Sequence, residues 1–225
     1  MAITTAMTTS FKQEILSAGH CFNATVSPTF TIGSASTTIT NVSSMSGVAV
    51  GMAFSCATAG IPANTVVARI TTNNQAILSN ASTAAITGGT ATVAGDSFVM
   101  ALIKAGMTGT YGTGNVNYSD LGTDEVTGTA YSTLGLTSVT ATTAGGVAWV
   151  NFSPNPQWTS ATFSTAGCMI YNSSIRNGGT SGTNTTGANR ACSVHDFSGN
   201  QQVSSGTFTV LMPSATSTTA ILRIS

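Results

Sequence analysis

Two adjacent acidic residues, Asp124 and Glu125, form the only acidic pair in the chain, and Asp120 lies close by. Paired carboxylates can act as general acid and base, but adjacent residues on a strand point to opposite faces of the sheet. Charged side chains are also rarely buried. The sequence therefore predicts a solvated turn before Val126. The alternative is a Ca²⁺ site formed by Asp120, Asp124 and backbone carbonyls, although the spacing matches no EF-hand loop.

Both histidines stand beside residues that could complete a site. His195-Asp196 could be a general base with its orienting acid, and convergence with Asp120 would strengthen that interpretation. No Gly-x-Ser-x-Gly motif accompanies the pair, so we expect a strand end and a turn. His20-Cys21 could supply half of a nucleophilic pair or two zinc ligands. We favour a capping role for His20 at the end of a helix, where free carbonyls attract an imidazole.

The four cysteines match no zinc pattern, because none forms a Cys-x-x-Cys pair. We expect buried free thiols, with a disulfide between Cys168 and Cys192 as the alternative. The N-terminal residues contain no basic segment followed by an apolar run, which favours synthesis in a reducing cytoplasm.

Five aromatic residues occur in one stretch, and they are Trp149, Phe152, Trp158, Phe163 and Tyr171. Aromatic side chains bury large areas and dominate protein cores. We therefore predict that these residues form the core of a sandwich. A platform on which a glycan stacks is the alternative.

The composition leaves little material for catalysis. Only 5% of the residues are charged, six basic and six acidic, and the net charge is +0, whereas soluble domains carry about 25% charged residues. Ser and Thr are abundant instead. The lack of a basic stripe argues against a nucleic-acid binder, and the scarcity of charge argues weakly against an enzyme. No apolar segment is long enough to span a membrane. We predict a structural protein without a cofactor that associates with copies of itself or with a larger shell.

The pattern of residues predicts an all-β fold with one short helix. Ser10 and Gln13 form a capping box for a helix over Phe11–Ala18, which Gly19 ends. Later segments are rich in Thr, Val, Ile and Phe and are separated by Gly, Asn and Pro, which is typical of a sandwich or barrel. The predicted strands include Phe98–Lys104 and Ala161–Tyr171. We divide the chain into an N-terminal arm (1–27), a small β module of five or six strands (28–97) and a main, jelly-roll-like β-sandwich (98–225). Residues 172–190 are predicted to form a long loop.

Two sets of motifs resemble known proteins. Segments of the module resemble a small β module that is found inserted in many phage virion and surface proteins; they are Ile39–Ser44, Val50–Met52, Gly60–Ala63, Thr65–Ile70 and Leu78–Thr83. Segments of the remaining chain resemble a family of tailed-phage structural proteins; they are Ser10–Phe22, Asp124–Tyr131, Ala148–Phe152, Trp158–Asn172 and Gly206–Ile224. Within them, Ala130 replaces a usual Gly and Asn151 a usual Asp.

The resemblance implies that residues 28–97 are an insertion and that the chain is a virion component rather than an enzyme. It favours a head decoration or cement protein on the capsid surface, with the major capsid protein as partner and a homotrimer as the assembly. A tail or fibre protein that contacts the host surface is the alternative. The candidate capsid-docking residues lie in the N-terminal arm and are Phe11, Lys12, Glu14, Ile15 and Leu16.

Overall fold

The structure is a computed structural model that describes residues 2–16, 19–137, 141–174 and 189–225. The chain is mostly β, with 48% strand and 7% helix, and has several antiparallel sheets, including a curled half-barrel sheet, and a short N-terminal helix. At this level the predicted fold class is confirmed. The chain divides into two compact units. The described part of the larger unit is 2–16, 97–137, 141–174 and 189–225, and that of the smaller unit is 19–96.

The elements are numbered in chain order. Helix α1 spans Thr9–Leu16, and a 3₁₀ segment spans Tyr118–Asp124. The described strands are β1 (Ala2–Ile3), β2 (Ala6–Met7), β3 (Thr29–Ile32), β4 (Thr38–Thr40), β5 (Ala53–Cys56), β6 (Val67–Thr72), β7 (Gln75–Leu78), β8 (Ile86–Ala94), β9 (Phe98–Lys104), β10 (Thr110–Tyr111), β11 (Leu134–Leu136), β12 (Thr142–Ala144), β13 (Val147–Val150), β14 (Gln157–Asn172), β15 (Arg190–Thr209) and β16 (Leu222–Ile224).

Helix α1 begins after Thr8 rather than after Ser10. The Thr8 hydroxyl accepts a hydrogen bond from the Phe11 amide (3.2 Å) and donates one to the Ala191 carbonyl (2.7 Å). It therefore satisfies one of the amides left free at a helix start and fixes that start to β15. The Ser10 hydroxyl donates instead to the Asn115 carbonyl (3.3 Å). The prediction that Ser10 caps the helix was wrong, and the predicted helix residues 17–18 lie outside the described residues.

The N-terminal residues do not form one arm. Residues 2–16 belong to the larger unit, whereas 19–27 belong to the smaller one. Strand β1 pairs in parallel with β10, and β2 pairs with β15 at Ser193 and Val194. The segment before α1 is therefore part of the sheets of the larger unit.

The larger unit contains a five-stranded antiparallel sheet in the order β11-β9-β14-β15-β2 and a three-stranded antiparallel sheet in the order β12-β13-β16. Strand β9 is almost entirely buried, because it lies inside the sheet and has apolar residues on both faces. The rings of Phe98 in β9 and of Phe152, just after β13, lie 5.5 Å apart. These two parts of the chain therefore share one core.

Strands β14 and β15 extend beyond the rest of their sheet. β9 pairs with β14 only from Thr165 to Asn172, whereas β15 pairs with it along its whole length. Residues 157–164 and 201–209 therefore form a two-stranded extension, called the ribbon below. At the other end of this pair, residues 175–188 of the predicted 172–190 loop lie outside the described residues.

The smaller unit is built around one six-stranded sheet in the order β5-β8-β3-β4-β7-β6. The Phe54 amide donates to the Thr65 carbonyl (2.8 Å) and the Val67 amide to the Met52 carbonyl (2.9 Å). These bonds join the two outer strands, so the sheet curls back on itself. Its core includes Phe30 and Phe54, whose rings meet edge to face at 5.0 Å. The strand number agrees with the predicted five or six.

Candidate functional site

Asp124 is the most heavily hydrogen-bonded ionisable residue described, and only 2% of its surface is exposed. Its Oδ2 accepts hydrogen bonds from the amides of Thr108 (2.8 Å) and Gly109 (2.6 Å) and from the Tyr111 hydroxyl (2.8 Å). Lys104 Nζ lies 3.1 Å from its Oδ1. The predicted solvated turn was therefore wrong for Asp124, because this carboxylate holds a separate backbone segment in place.

These contacts keep Asp124 ionised. Burial favours the neutral acid, but the donated hydrogen bonds of Tyr111, Gly109, Thr108 and Lys104 outweigh it and hold the pKa of Asp124 well below its usual range. The same contacts act oppositely on the partner: burial, then the bond to the Asp124 carboxylate, raises the pKa of Tyr111. Neither group is poised to exchange a proton near neutral pH, so this cluster stabilises structure rather than performing acid–base catalysis.

Glu125 points away from this cluster and accepts hydrogen bonds from two tyrosines. The Tyr131 hydroxyl donates to its Oε1 (2.8 Å), and the Tyr118 hydroxyl donates to its Oε2. Tyr131 also accepts a hydrogen bond from the Leu102 amide (3.0 Å), and the Tyr118 ring stacks on Tyr171 at 4.6 Å. Burial, followed by the bond to Glu125, raises the pKa of Tyr118. The two neighbouring acids thus serve separate networks, although Asp124 ends a 3₁₀ segment and the two do not lie on opposite faces of a strand.

The remaining aspartates accept hydrogen bonds from backbone amides, two of them local and one distant in the chain. Asp120 accepts hydrogen bonds from the amides of Val116 (2.7 Å) and Asn117 (3.2 Å). Asp196 accepts one from the Ser198 amide (2.9 Å), and Asp96 accepts one from Cys21 (2.9 Å). Asp196 therefore holds the backbone of β15 rather than orienting His195. The strand end and turn predicted here were wrong, because β15 continues through this segment to Thr209 with a shift in its register with β14. In the part of the chain that the structure describes, no three His, Cys, Asp or Glu side chains gather to form a metal site.

His195 has a partner that the sequence interpretation missed. Ser193 Oγ and His195 Nε2 lie within hydrogen-bonding distance, 2.8 Å apart, on the same face of β15. Cys168 lies opposite His195 in the register of β14 and β15. Burial lowers the pKa of His195 to about 4 and raises that of the Cys168 thiol to about 12. Because Ser193 is fully buried, this serine–histidine pair offers no access to a substrate.

All four cysteines are free thiols, and three of them are buried. The alternative of a disulfide between Cys168 and Cys192 was therefore wrong: Cys168 faces His195 across the strands. Cys21 belongs to the core of the smaller unit. The neighbouring His20 ring stacks on Phe22, with ring centroids 6.5 Å apart.

One face of helix α1 packs against the larger unit, and the opposite face is exposed. Phe11 is 1% exposed, and Glu14 forms a buried ion pair with Arg190 at the start of β15. Lys12 and Leu16 are exposed and Ile15 is partly buried. Of the predicted docking residues, Phe11 and Glu14 therefore hold the helix on the unit, whereas Lys12, Ile15 and Leu16 form its outer face.

Four of the five residues in the aromatic stretch are core, and the fifth, Trp149, is only partly buried. Trp158, Phe163, Phe152 and Tyr171 are each buried, which confirms the core interpretation for these four. The Trp158 indole also donates a hydrogen bond to the Ser132 carbonyl (2.7 Å). Trp158 and Phe163 lie on the ribbon, and the ring of Phe208 in β15 lies 5.3 Å from that of Phe163 and 6.0 Å from that of Trp158.

The fold and these contacts define a mostly β protein of two units in which all six acidic residues stabilise their own unit. None of the described helices is both long and apolar enough to cross a membrane. No protein-family model, curated protein or solved structure matches the chain.

Proposed function

We propose that this chain is a structural protein of a tailed-phage virion. Its role would be that of a head decoration or cement protein that binds the major capsid protein at the capsid surface and also associates with its own copies. In this proposal the larger unit is a jelly-roll-like β-sandwich and the smaller unit is an insertion into it. The contact between Phe98 and Phe152 supports a sandwich of the five-stranded and three-stranded sheets.

The observation that carries the proposal is that every acidic side chain is bound within its own unit. Each of the six, in either unit, holds a backbone amide, a tyrosine or a basic side chain of the same unit. Few charges remain for catalysis or for binding nucleic acid, and the surface is rich in hydroxyls. Such a surface binds by burying area, and many bound copies stabilise a shell by mass action.

The outer face of α1 is the proposed capsid-docking surface. Leu16 is 89% exposed, and it lies beside Ile15 and Lys12 on the side away from Glu14. A large apolar side chain left in water favours burial against a partner. Because Phe11 and Glu14 hold the helix in place, the docking face needs no ordering when it binds.

The alternative is a tail or fibre protein that contacts the host surface. The partly exposed rings of Phe197 and Phe208, 6.4 Å apart at the ribbon, favour it, since exposed aromatic rings can stack on glycans.

The test uses particles that lack this protein. We expect such heads to release their DNA at a lower temperature than complete heads, and the purified protein to restore stability when added back.

Leu16→Ser should bind the shell at least tenfold more weakly, because it removes the exposed apolar side chain of the docking face. Leu211→Ser is the matched control, since Leu211 is also exposed, at 77%, but lies outside α1. Equal binding by both variants would refute docking through α1, and unchanged heat stability without the protein would refute a cement role.

A further inference from the structure

Glu125 differs from the buried acids of the larger unit in having no basic partner. Asp124 has the Lys104 ammonium 3.1 Å away, and Glu14 pairs with Arg190. Glu125 is partly buried, and no ion pair among the described residues includes it. A charge that is partly removed from water is costly unless an opposite charge accompanies it. Glu125 therefore carries a negative charge that its own unit does not compensate.

The two tyrosines that donate to Glu125 leave part of its hydrogen-bonding capacity unused. A carboxylate has about four acceptor positions, and one tyrosine hydroxyl donates to each of its two oxygens. Burial raises the pKa of both Tyr118 and Tyr131, so both side chains stay neutral donors near neutral pH. Each carboxylate oxygen can therefore accept a further bond from a donor outside the unit.

Both tyrosines are held in place by contacts on their other sides. The Tyr118 ring stacks on Tyr171, with centroids 4.6 Å apart, and the Leu102 amide donates to the Tyr131 hydroxyl (3.0 Å). Neither side chain needs to be ordered when a ligand binds, which keeps the entropic cost low. Tyr118 and Tyr131 are also partly exposed, so a ligand that reaches the carboxylate of Glu125 meets an aromatic ring as well.

We propose that Glu125 and Tyr118, called the Glu125 site below, bind the guanidinium group of an arginine side chain from a protein partner. A guanidinium is planar, can bond to both oxygens of a carboxylate in parallel and stacks on aromatic rings. The ammonium group of a lysine is a point charge and more strongly hydrated. A divalent metal ion prefers several charged oxygen ligands, and among the described residues no three His, Cys, Asp or Glu gather.

The Glu125 site lies in the same region of the larger unit as helix α1. The Ser10 hydroxyl of α1 donates to the Asn115 carbonyl (3.3 Å), and Asn117 forms a bridge with Arg190, which pairs with α1. These contacts place residues 115–118 beside the helix whose outer face is the proposed docking surface. The identification of the capsid shell as the partner rests on the proposed function, whereas the binding of a guanidinium does not.

The first test uses the wild-type protein and needs no partner. N-acetylarginine amide is titrated into the isotope-labelled protein, and NMR follows the backbone amides of Tyr118, Glu125 and Tyr131. We expect a saturable shift with a dissociation constant in the millimolar range. N-acetylcitrulline amide has nearly the same shape without the charge and should bind at least tenfold more weakly. No saturable shift, or equal binding of the citrulline probe, would overturn the site. Equal binding of N-acetyllysine amide would overturn the choice of a guanidinium.

The second test removes the charge from the protein instead of from the probe. Glu125→Gln keeps the size of the side chain, and we expect it to bind N-acetylarginine amide at least tenfold more weakly than the wild type. Asp196→Asn is the matched control, because it removes the same charge from an exposed acid of the same unit, and it should bind like the wild type. Unchanged binding by Glu125→Gln, or an equal loss in both variants, would overturn the proposal.

The partner is tested separately, by adding the same two variants to heads that lack this protein. We expect Glu125→Gln to bind the shell at least tenfold more weakly than Asp196→Asn. Equal binding of the two variants to the shell would overturn the shell as the source of the arginine. Failure of the wild type to bind the shell would overturn the proposed function but leave the Glu125 site intact.

Discussion

Replacement of Asp124 by Asn tests whether this carboxylate holds the larger unit together. The change keeps the size of the side chain but removes its charge. Three donors reach Oδ2, namely the Thr108 amide, the Gly109 amide and the Tyr111 hydroxyl. A hydrogen bond to a charged group contributes about 1 kcal/mol more than one to a neutral group, which gives about 3 kcal/mol for three. The ion pair with Lys104 adds less than about 1 kcal/mol, because the Lys104 side chain is one-third exposed.

The free energy of unfolding of the larger unit should therefore fall by about 3 kcal/mol. Both tryptophans, Trp149 and Trp158, belong to that unit, so their fluorescence reports its unfolding in urea. With an m-value of about 2 kcal/mol/M, the midpoint should fall by about 1.5 M. Asp196→Asn is the matched control, since Asp196 is exposed and its side chain accepts a hydrogen bond from the Ser198 amide of the same strand, and its midpoint should change little.

The same variant should alter the dependence of stability on pH. The folded pKa of Asp124 is depressed, so its contribution is complete above the unfolded pKa of about 3.9 and is lost as the pH falls towards the folded value. The difference in stability between the wild type and Asp124→Asn should thus shrink between pH 5 and pH 2. A midpoint shift no larger than that of Asp196→Asn, or two parallel pH curves, would refute the reasoning.

Three further predictions concern other positions. Gly109→Ala should destabilise the larger unit by about 1–3 kcal/mol, because the added Cβ would lie 2.6 Å from the Tyr111 hydroxyl; urea unfolding measures this. Because burial lowers the pKa of His195 to about 4, the wild type should lose stability as the pH falls from about 6.5, and His195→Gln should remove that dependence; equal acid curves would contradict it. In thiol labelling of the native protein, Cys56 should react first, since the other three thiols are buried; rapid labelling of Cys168, whose pKa is about 12, would show that the core opens.

The buried central strands could be predicted from the sequence, but the positions at which the strands end could not. Phe98–Lys104 was predicted as a strand and is β9, because a strand buried on both faces is marked by its continuous apolar residues. The strand predicted at Ala161–Tyr171 is longer in the structure and spans Gln157–Asn172. Its added part, residues 157–160, lies in the ribbon, where the buried Trp158 stands among exposed polar residues and gives no alternating hydrophobic pattern. Thr and Ser therefore hid the true length of this strand.

The roles of the ionisable residues were harder to predict, because their partners are distant in sequence. Glu14 pairs with Arg190, and no local pattern connects two residues so far apart. The donors to Asp124 come from the turn before β10, so local sequence suggested a solvated turn. The pair of Ser193 and His195 did leave a signal, since residues two apart on a strand share a face. Only the structure reveals that Ser193 is fully buried and His195 partly buried.

The number of copies of this protein per virion, relative to the major capsid protein, tests the central proposal most directly. Quantitative mass spectrometry of purified particles measures it. A head decoration protein predicts a ratio near one to one, and a few to a few dozen copies would favour the tail or fibre alternative instead. Absence of the protein from the particle would contradict the proposal that it is a virion component.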